Sequence, residues 1–193
     1  MNEQLTHAFK LFDQANAEDP NKVNVSGTER SKELVFAERL TDAVLEINPD
    51  ASEPLLLASR CQHIRRWEVP RNTQPMGRAG YLKWRTGLKK FHAETSAKIL
   101  QDVGYSEEII YLVQDLNQKK NLKTDPDCQT LEDALCIVFL RYQFDDLIND
   151  TEHEKMINIV RKTWAKMSPS GHAKALAINY SSTGKAVINE ALA

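Results

Sequence analysis

The sequence predicts a single all-α domain, an HD-domain-like helical bundle of about seven to eight helices. Three observations carry this. Its 193 residues, 41% hydrophobic and 27% charged, fit one globular unit, and only seven Gly and seven Pro exclude collagen-like or low-complexity chains. Apolar residues recur at helical spacing, and no run sustains period-two alternation, so no strands are expected. No linker is long enough to separate domains, which leaves residues 1–193 as one unit with a peripheral tail over 168–193.

The elements follow in order. Residues 4–18 form an amphipathic helix with Leu5, Ala8, Phe9 and Phe12 on one face. A polar loop through Asp19-Pro20-Asn21-Lys22 leads to Ser26-x-x-Glu29, a capping box that opens a second helix with the stripe Phe36, Leu40, Val44 and Ile47. Asn48-Pro49 ends it, and Asp50-x-x-Glu53 opens a third helix running to about Trp67. Pro70, Pro75 and Gly77 break the connection to a long helix over 79–103, for which Gly104 is the natural stop. Ser106 caps a fifth helix over 107–119. Thr130-x-x-Asp133 begins a sixth over 130–149, and Thr151-x-x-Glu154 a seventh that ends near Ser168-Pro169. A weaker helical tail follows.

Several classes are excluded at once. The longest apolar runs, Leu55-Leu56-Leu57-Ala58 and Cys136-Ile137-Val138-Phe139-Leu140, are far too short to cross a membrane. The polar start Met1-Asn2-Glu3-Gln4 does not read as a signal peptide. Cys61, Cys128 and Cys136 lack metal or disulfide spacing and read as reduced thiols, which points to a cytoplasmic location. The formal net charge of −2 hides an asymmetry. From Arg60 to Lys90 nine Lys and Arg face one acid, Glu68, so this segment is +8 and the remainder −10.

The candidate chemistry lies in and around that segment. Arg65, Arg66, Arg71, Arg78, Lys83 and Arg85 form an anion-binding set, because guanidinium forks match phosphate oxygens. Trp67 and Trp84 offer planes for stacking. No GxxxxGK[ST] or GxGxxG phosphate loop occurs. His63, near the end of the third helix, and His92, in the middle of the fourth, flank the basic run. Asp133 has Cys136 and Ile137 at i+3 and i+4, so it faces an apolar surface, where it either caps its own helix or meets a cation or metal. Imidazole and carboxylate together would suit a divalent metal.

The chain resembles an uncharacterised family, domain of unknown function 4202. The stretch Ala58-Ser59-Arg60-Cys61-Gln62-His63-Ile64-Arg65-Arg66-Trp67-Glu68-Val69-Pro70-Arg71 carries the resemblance, with Phe91-His92-Ala93-Glu94, Gln129-Thr130-Leu131-Glu132-Asp133-Ala134 and Arg161-Lys162-Thr163-Trp164-Ala165-Lys166-Met167-Ser168. More distantly, it is similar to the HD-domain metal-dependent phosphohydrolases, all-helical enzymes in which His and Asp surround divalent metals. Gln62-His63 stands where that superfamily has its His-Asp dyad, His92 resembles the later histidine, and Asp133-Ala134 matches the final Asp. The first ligand would fall on the second helix, where Glu33 and Glu38 are available.

Two functions follow as expectations. One is a metal-dependent phosphohydrolase, with Mn, Fe, Zn, Ni, Co or Mg held by His63, His92, Asp133 and Glu33 or Glu38, and a nucleotide-type or other phosphorylated substrate clamped by the arginines. The other is a non-catalytic module that holds a nucleotide, an RNA phosphate or an acidic partner. The −10 outside the basic segment disfavours a long polyanion, so nucleic acid ranks behind a small anionic ligand. A plain scaffold, its basic run neutralised by acidic helices, is the third reading.

Overall fold

Asn2 starts the first helix by accepting a hydrogen bond from the Leu5 amide at 2.7 Å, and α1 (Glu3–Ala17) buries Leu5, Ala8, Phe12 and Ala15. The computed structural model describes residues 2–122 and 124–193. After α1 the chain departs from expectation. Ser26 and Gly27 both take positive φ, 51° and 86°. Positive φ at both central residues is the two-residue hairpin turn, so the expected capping box folds instead as antiparallel strands β1 (Lys22–Val25) and β2 (Thr28–Ser31). The second helix, α2 (Lys32–Ile47), therefore starts later. Ser31 makes no side-chain cap, and the buried Asp19 carboxylate accepts the Glu33 amide at 3.0 Å in its place.

Ser52 caps α3 (Glu53–Cys61), which stops short of the expected Trp67. The chain turns at Arg65, in the left-handed region at φ 51°, where its amide donates to Asn16 Oδ1 at 3.1 Å. Short 3-10 turns at Arg66–Glu68 and Arg71–Thr73 lead into α4 (Arg78–Val103), which ends at Gly104 as expected. Then α5 (Glu107–Gln118) ends on Lys119 in the left-handed conformation. The sixth helix begins earlier than Thr130, because Asp125 accepts the Asp127 amide at 2.9 Å and Pro126 fits the first helical turn. It breaks at Gln143, giving α6 (Pro126–Tyr142) and α7 (Phe144–Asn149). The remainder forms α8 (His153–Trp164), α9 (Pro169–Leu176) and α10 (Ser182–Leu192).

The described residues thus hold ten α-helices, more than the seven to eight expected, and one hairpin where none was expected. The sixth predicted helix is split and the tail is two helices. That tail is not peripheral: Ala175, Val187, Ile188 and Ala191 are buried in the one hydrophobic core. At its centre lies α6, with Leu131, Ala134, Ile137 and Val138 buried against α2, α3, α5 and α9. All three cysteines are buried and free.

Asp133 holds α9 in place. It is 2% exposed, and its carboxylate accepts from the Ser168 amide at 2.8 Å, from the Ser168 hydroxyl and from Gln129 Nε2 at 3.0 Å. Gly171 comes so close that a Cβ there would lie 2.6 Å from Asp133 Cγ. A methyl group cannot fit without displacing a short, fully bonded side chain. Gly171→Ala is therefore expected to destabilise the fold by about 2 kcal/mol, read from urea denaturation. An unchanged midpoint would show that α9 does not depend on this contact.

Candidate functional site

The nine basic residues of the 60–90 segment do not act as one patch. Arg60 pairs with Asp13 at 2.7 Å, Arg65 with Glu18 at 2.6 Å and Glu68 at 3.3 Å, and Lys90 with Glu94 at 3.6 Å. Arg71 donates to the Gln74, Pro75 and Gly77 carbonyls, so it braces its own loop. Arg78 and Lys83 are exposed on α4, away from any described cavity. Arg66, Arg85 and Lys89 are left, and these three line one cavity of about 180 Å³.

Lys119, from the end of α5, and Lys166, beyond α8, join them, so five cationic side chains surround the space. Glu132 is the acid on the lining. Lys119 forms an ion pair with it and Lys166 lies 3.7 Å from it. Burial opposes ionisation of Glu132, but Lys119 and then Lys166 carry its pKa below the ordinary carboxylate value. The crowding shows on the cations as well. Burial first, then Lys119 and Arg85, hold the Lys89 ammonium below its usual pKa. Burial also lowers Arg66, partly offset by Glu33. Such crowding is relieved when an anion enters.

The two histidines form the cavity's inner wall. His92 is 2% exposed, and its Nδ1 lies 2.8 Å from the Ile64 carbonyl oxygen. A carbonyl can only accept, so Nδ1 carries the proton and Nε2 is a bare acceptor. Burial, then His63, pushes His92 down to about 3, so it is neutral at physiological pH. His63 stacks on Phe36 of α2 with ring centroids 4.0 Å apart, and its ring centroid lies 5.8 Å from that of His92. Arg66 approaches His63 Nε2 at 3.5 Å, which turns His63 Nδ1 toward Glu33 Oε2, also at 3.5 Å. Burial first, then Arg66, holds His63 well below its ordinary value. Burial pushes Glu33 up to about 7 against the pull of Arg66.

A second cavity of about 490 Å³ adjoins the first, sharing His63, Arg66 and Phe139. Val35, Phe36, Val138, Tyr142 and Leu147 give it an apolar wall, with Arg39 stacked on the Tyr142 ring at 3.9 Å.

Among the candidate metal ligands, Glu33 lies beside His63, and His63 beside His92. Asp133 and Glu38 do not join them: Asp133 is committed to Ser168 and Gln129, and Glu38 pairs with Arg30 at 2.7 Å. The self-capping alternative for Asp133 also fails, because α6 begins at Pro126 and the carboxylate turns to α9. Among the described residues no three His, Cys, Asp or Glu are grouped to hold a metal ion. Trp84 donates to the Val69 carbonyl at 2.8 Å and lies beside the Arg66 guanidinium, 5.1 Å from ring centroid to carbon, so it backs an arginine and offers no free face there. Trp67 is half-buried and lines neither cavity. Gln62, Lys89, Lys119, Glu132 and Lys166 also line the cavity; from sequence Gln62 stood only at the dyad position and Lys89 only in the basic run, and Lys119, Glu132 and Lys166 were not singled out as site residues.

The profile of a family described as Domain of unknown function (DUF4202) matches residues 6–188. No curated protein and no solved structure matches the chain. No helix among the described residues is long and apolar enough to cross a membrane.

Glu33 yields a test of this geometry. Its carboxyl would lose its proton at the ordinary value of 4.5 when unfolded and near 7 when folded, beside Arg66, Asp19, Lys32 and His92. The folded state then binds more protons across that window, so this group's contribution to stability falls as pH rises through it. Glu33→Gln, which cannot ionise, should gain on the wild type by up to about 3 kcal/mol between about pH 4 and about pH 8. A stability difference that stays flat with pH would show that Glu33 is not held in its neutral form.

Proposed function

The chain belongs to the DUF4202 family, whose description assigns no activity, and we propose that it binds a small phosphorylated organic molecule in the cationic cavity. The observation that carries this is the convergence of Arg66, Arg85, Lys89, Lys119 and Lys166 on about 180 Å³ with Glu132 already ion-paired. Charge-assisted hydrogen bonds from guanidinium and ammonium groups are stronger than neutral ones in such a half-buried space. The size selects a small ligand over a nucleic acid chain, and the −10 of the remaining sequence repels a long polyanion. The apolar wall of the adjoining cavity gives room for an organic part, so the reading favours a phosphate ester over free phosphate.

The metal-dependent phosphohydrolase reading asks for more than these residues offer. A divalent ion would need Glu33, His63 and His92 joined by Asp133 or Glu38, and both carboxylates are engaged elsewhere. The donor set present does not fit such a centre. Binding is the function that the arrangement supports best.

Isothermal titration calorimetry with inorganic phosphate and pyrophosphate tests this. The wild type should bind both, pyrophosphate more tightly, and weaken as salt rises. Arg66→Ala and Lys89→Ala should each lose about tenfold or more in affinity, while Lys83→Ala on the exposed side of α4 stays within about twofold. Equal losses in all three variants, or no binding by the wild type, would contradict the assignment.

A further inference from the structure

Four buried side-chain atoms among the described residues have no hydrogen-bond partner: Asn16 Nδ2, Asn117 Oδ1, Gln62 Oε1 and His92 Nε2. The last two belong to residues lining the cationic cavity, and both are acceptors. Gln62 is 5% exposed and its amide nitrogen reaches the Asn117 carbonyl at 3.4 Å, which leaves Oε1 as its free end. His92 Nε2 is bare because Nδ1 donates to Ile64. Buried acceptors are seldom left unpaired, and each costs free energy until a donor arrives.

The surroundings restrict what that donor is. The five cations on the same lining could supply protons only by moving away from the anion they would hold, and they repel an ammonium group. A phosphate group is no source either. Its second proton leaves near pH 6 even in water, and cations favour the ionised form. A neutral donor carried on carbon is what fits. We infer that the ligand is a phosphorylated polyol, whose hydroxyl groups donate to His92 Nε2 and Gln62 Oε1 while its phosphate lies against Arg66, Arg85 and Lys89. This rests on the phosphate-binding reading above and adds the chemical class of the molecule.

Calorimetry on the full chain separates the two claims. Glycerol phosphate and ribose phosphate should bind at least about tenfold more tightly than propyl phosphate, which has the same charge without hydroxyl groups. Gln62→Met keeps the side-chain volume and removes the acceptor. It should narrow that preference severalfold. Equal binding of the polyol phosphates and propyl phosphate by the wild type overturns this inference, since water alone then fills the acceptors, and it leaves phosphate binding standing. Failure of every phosphate to bind overturns the reading beneath it. The wild-type comparison stands whether or not the Met variant folds.

Discussion

The hydrogen bond from His92 Nδ1 to the Ile64 carbonyl sets the geometry on which the site depends. It ties the middle of α4, which packs on α5 and α1, to the turn that follows α3. It also decides which ring nitrogen of His92 is bare. Burial lowers the imidazole pKa to about 3, so the ring stays neutral over the physiological range, with its proton held on Nδ1 by the Ile64 carbonyl. Arg66, two residues after Ile64, is thereby brought to the cavity. Trp84 of α4, held by the Val69 carbonyl, lies at its back.

Around that fixed point the charges are divided by function. Part-buried arginines outside the cavity are neutralised by acids in α1 or at its end, as Arg60 is by Asp13 and Arg65 by Glu18. The cations of the cavity are handled differently: Lys119 and Lys166 share one buried carboxylate, and Arg66, Arg85 and Lys89 have no carboxylate to themselves. An excess of positive charge held in a half-buried space weakens the folded state, and an anion that binds there restores the balance.

Much of the fold was legible in the sequence. Apolar spacing gave the helices, and Gly104 and Ser106 marked the α4–α5 junction where the structure has it. The errors share a cause. Ser26-x-x-Glu29 and Thr130-x-x-Asp133 both satisfy a local capping pattern, but Ser26-Gly27 is better satisfied as a hairpin turn, and Asp133 by a partner that lies 35 residues on at Ser168. At the site, His63, His92, Arg66 and Arg85 were legible because they lie in or beside a visible run of charge, and Glu33 only through the resemblance that places a metal ligand on the second helix. Lys119 and Lys166 were not, since each is an ordinary surface residue until α5 and α8 carry it to the same cavity. Convergence from distant segments leaves no mark on local composition.

The proposed phosphorylated ligand would sit against the neutral, Nδ1-protonated His92. Imidazole nitrogen-15 spectra of the wild type, recorded with and without ribose phosphate at neutral pH, test it directly. A neutral His92 with its proton on Nδ1 is expected in both spectra, and its Nε2 resonance should shift toward the hydrogen-bonded range when the ligand binds. A protonated His92, the opposite tautomer, or saturable binding that leaves both His63 and His92 resonances unmoved would contradict it.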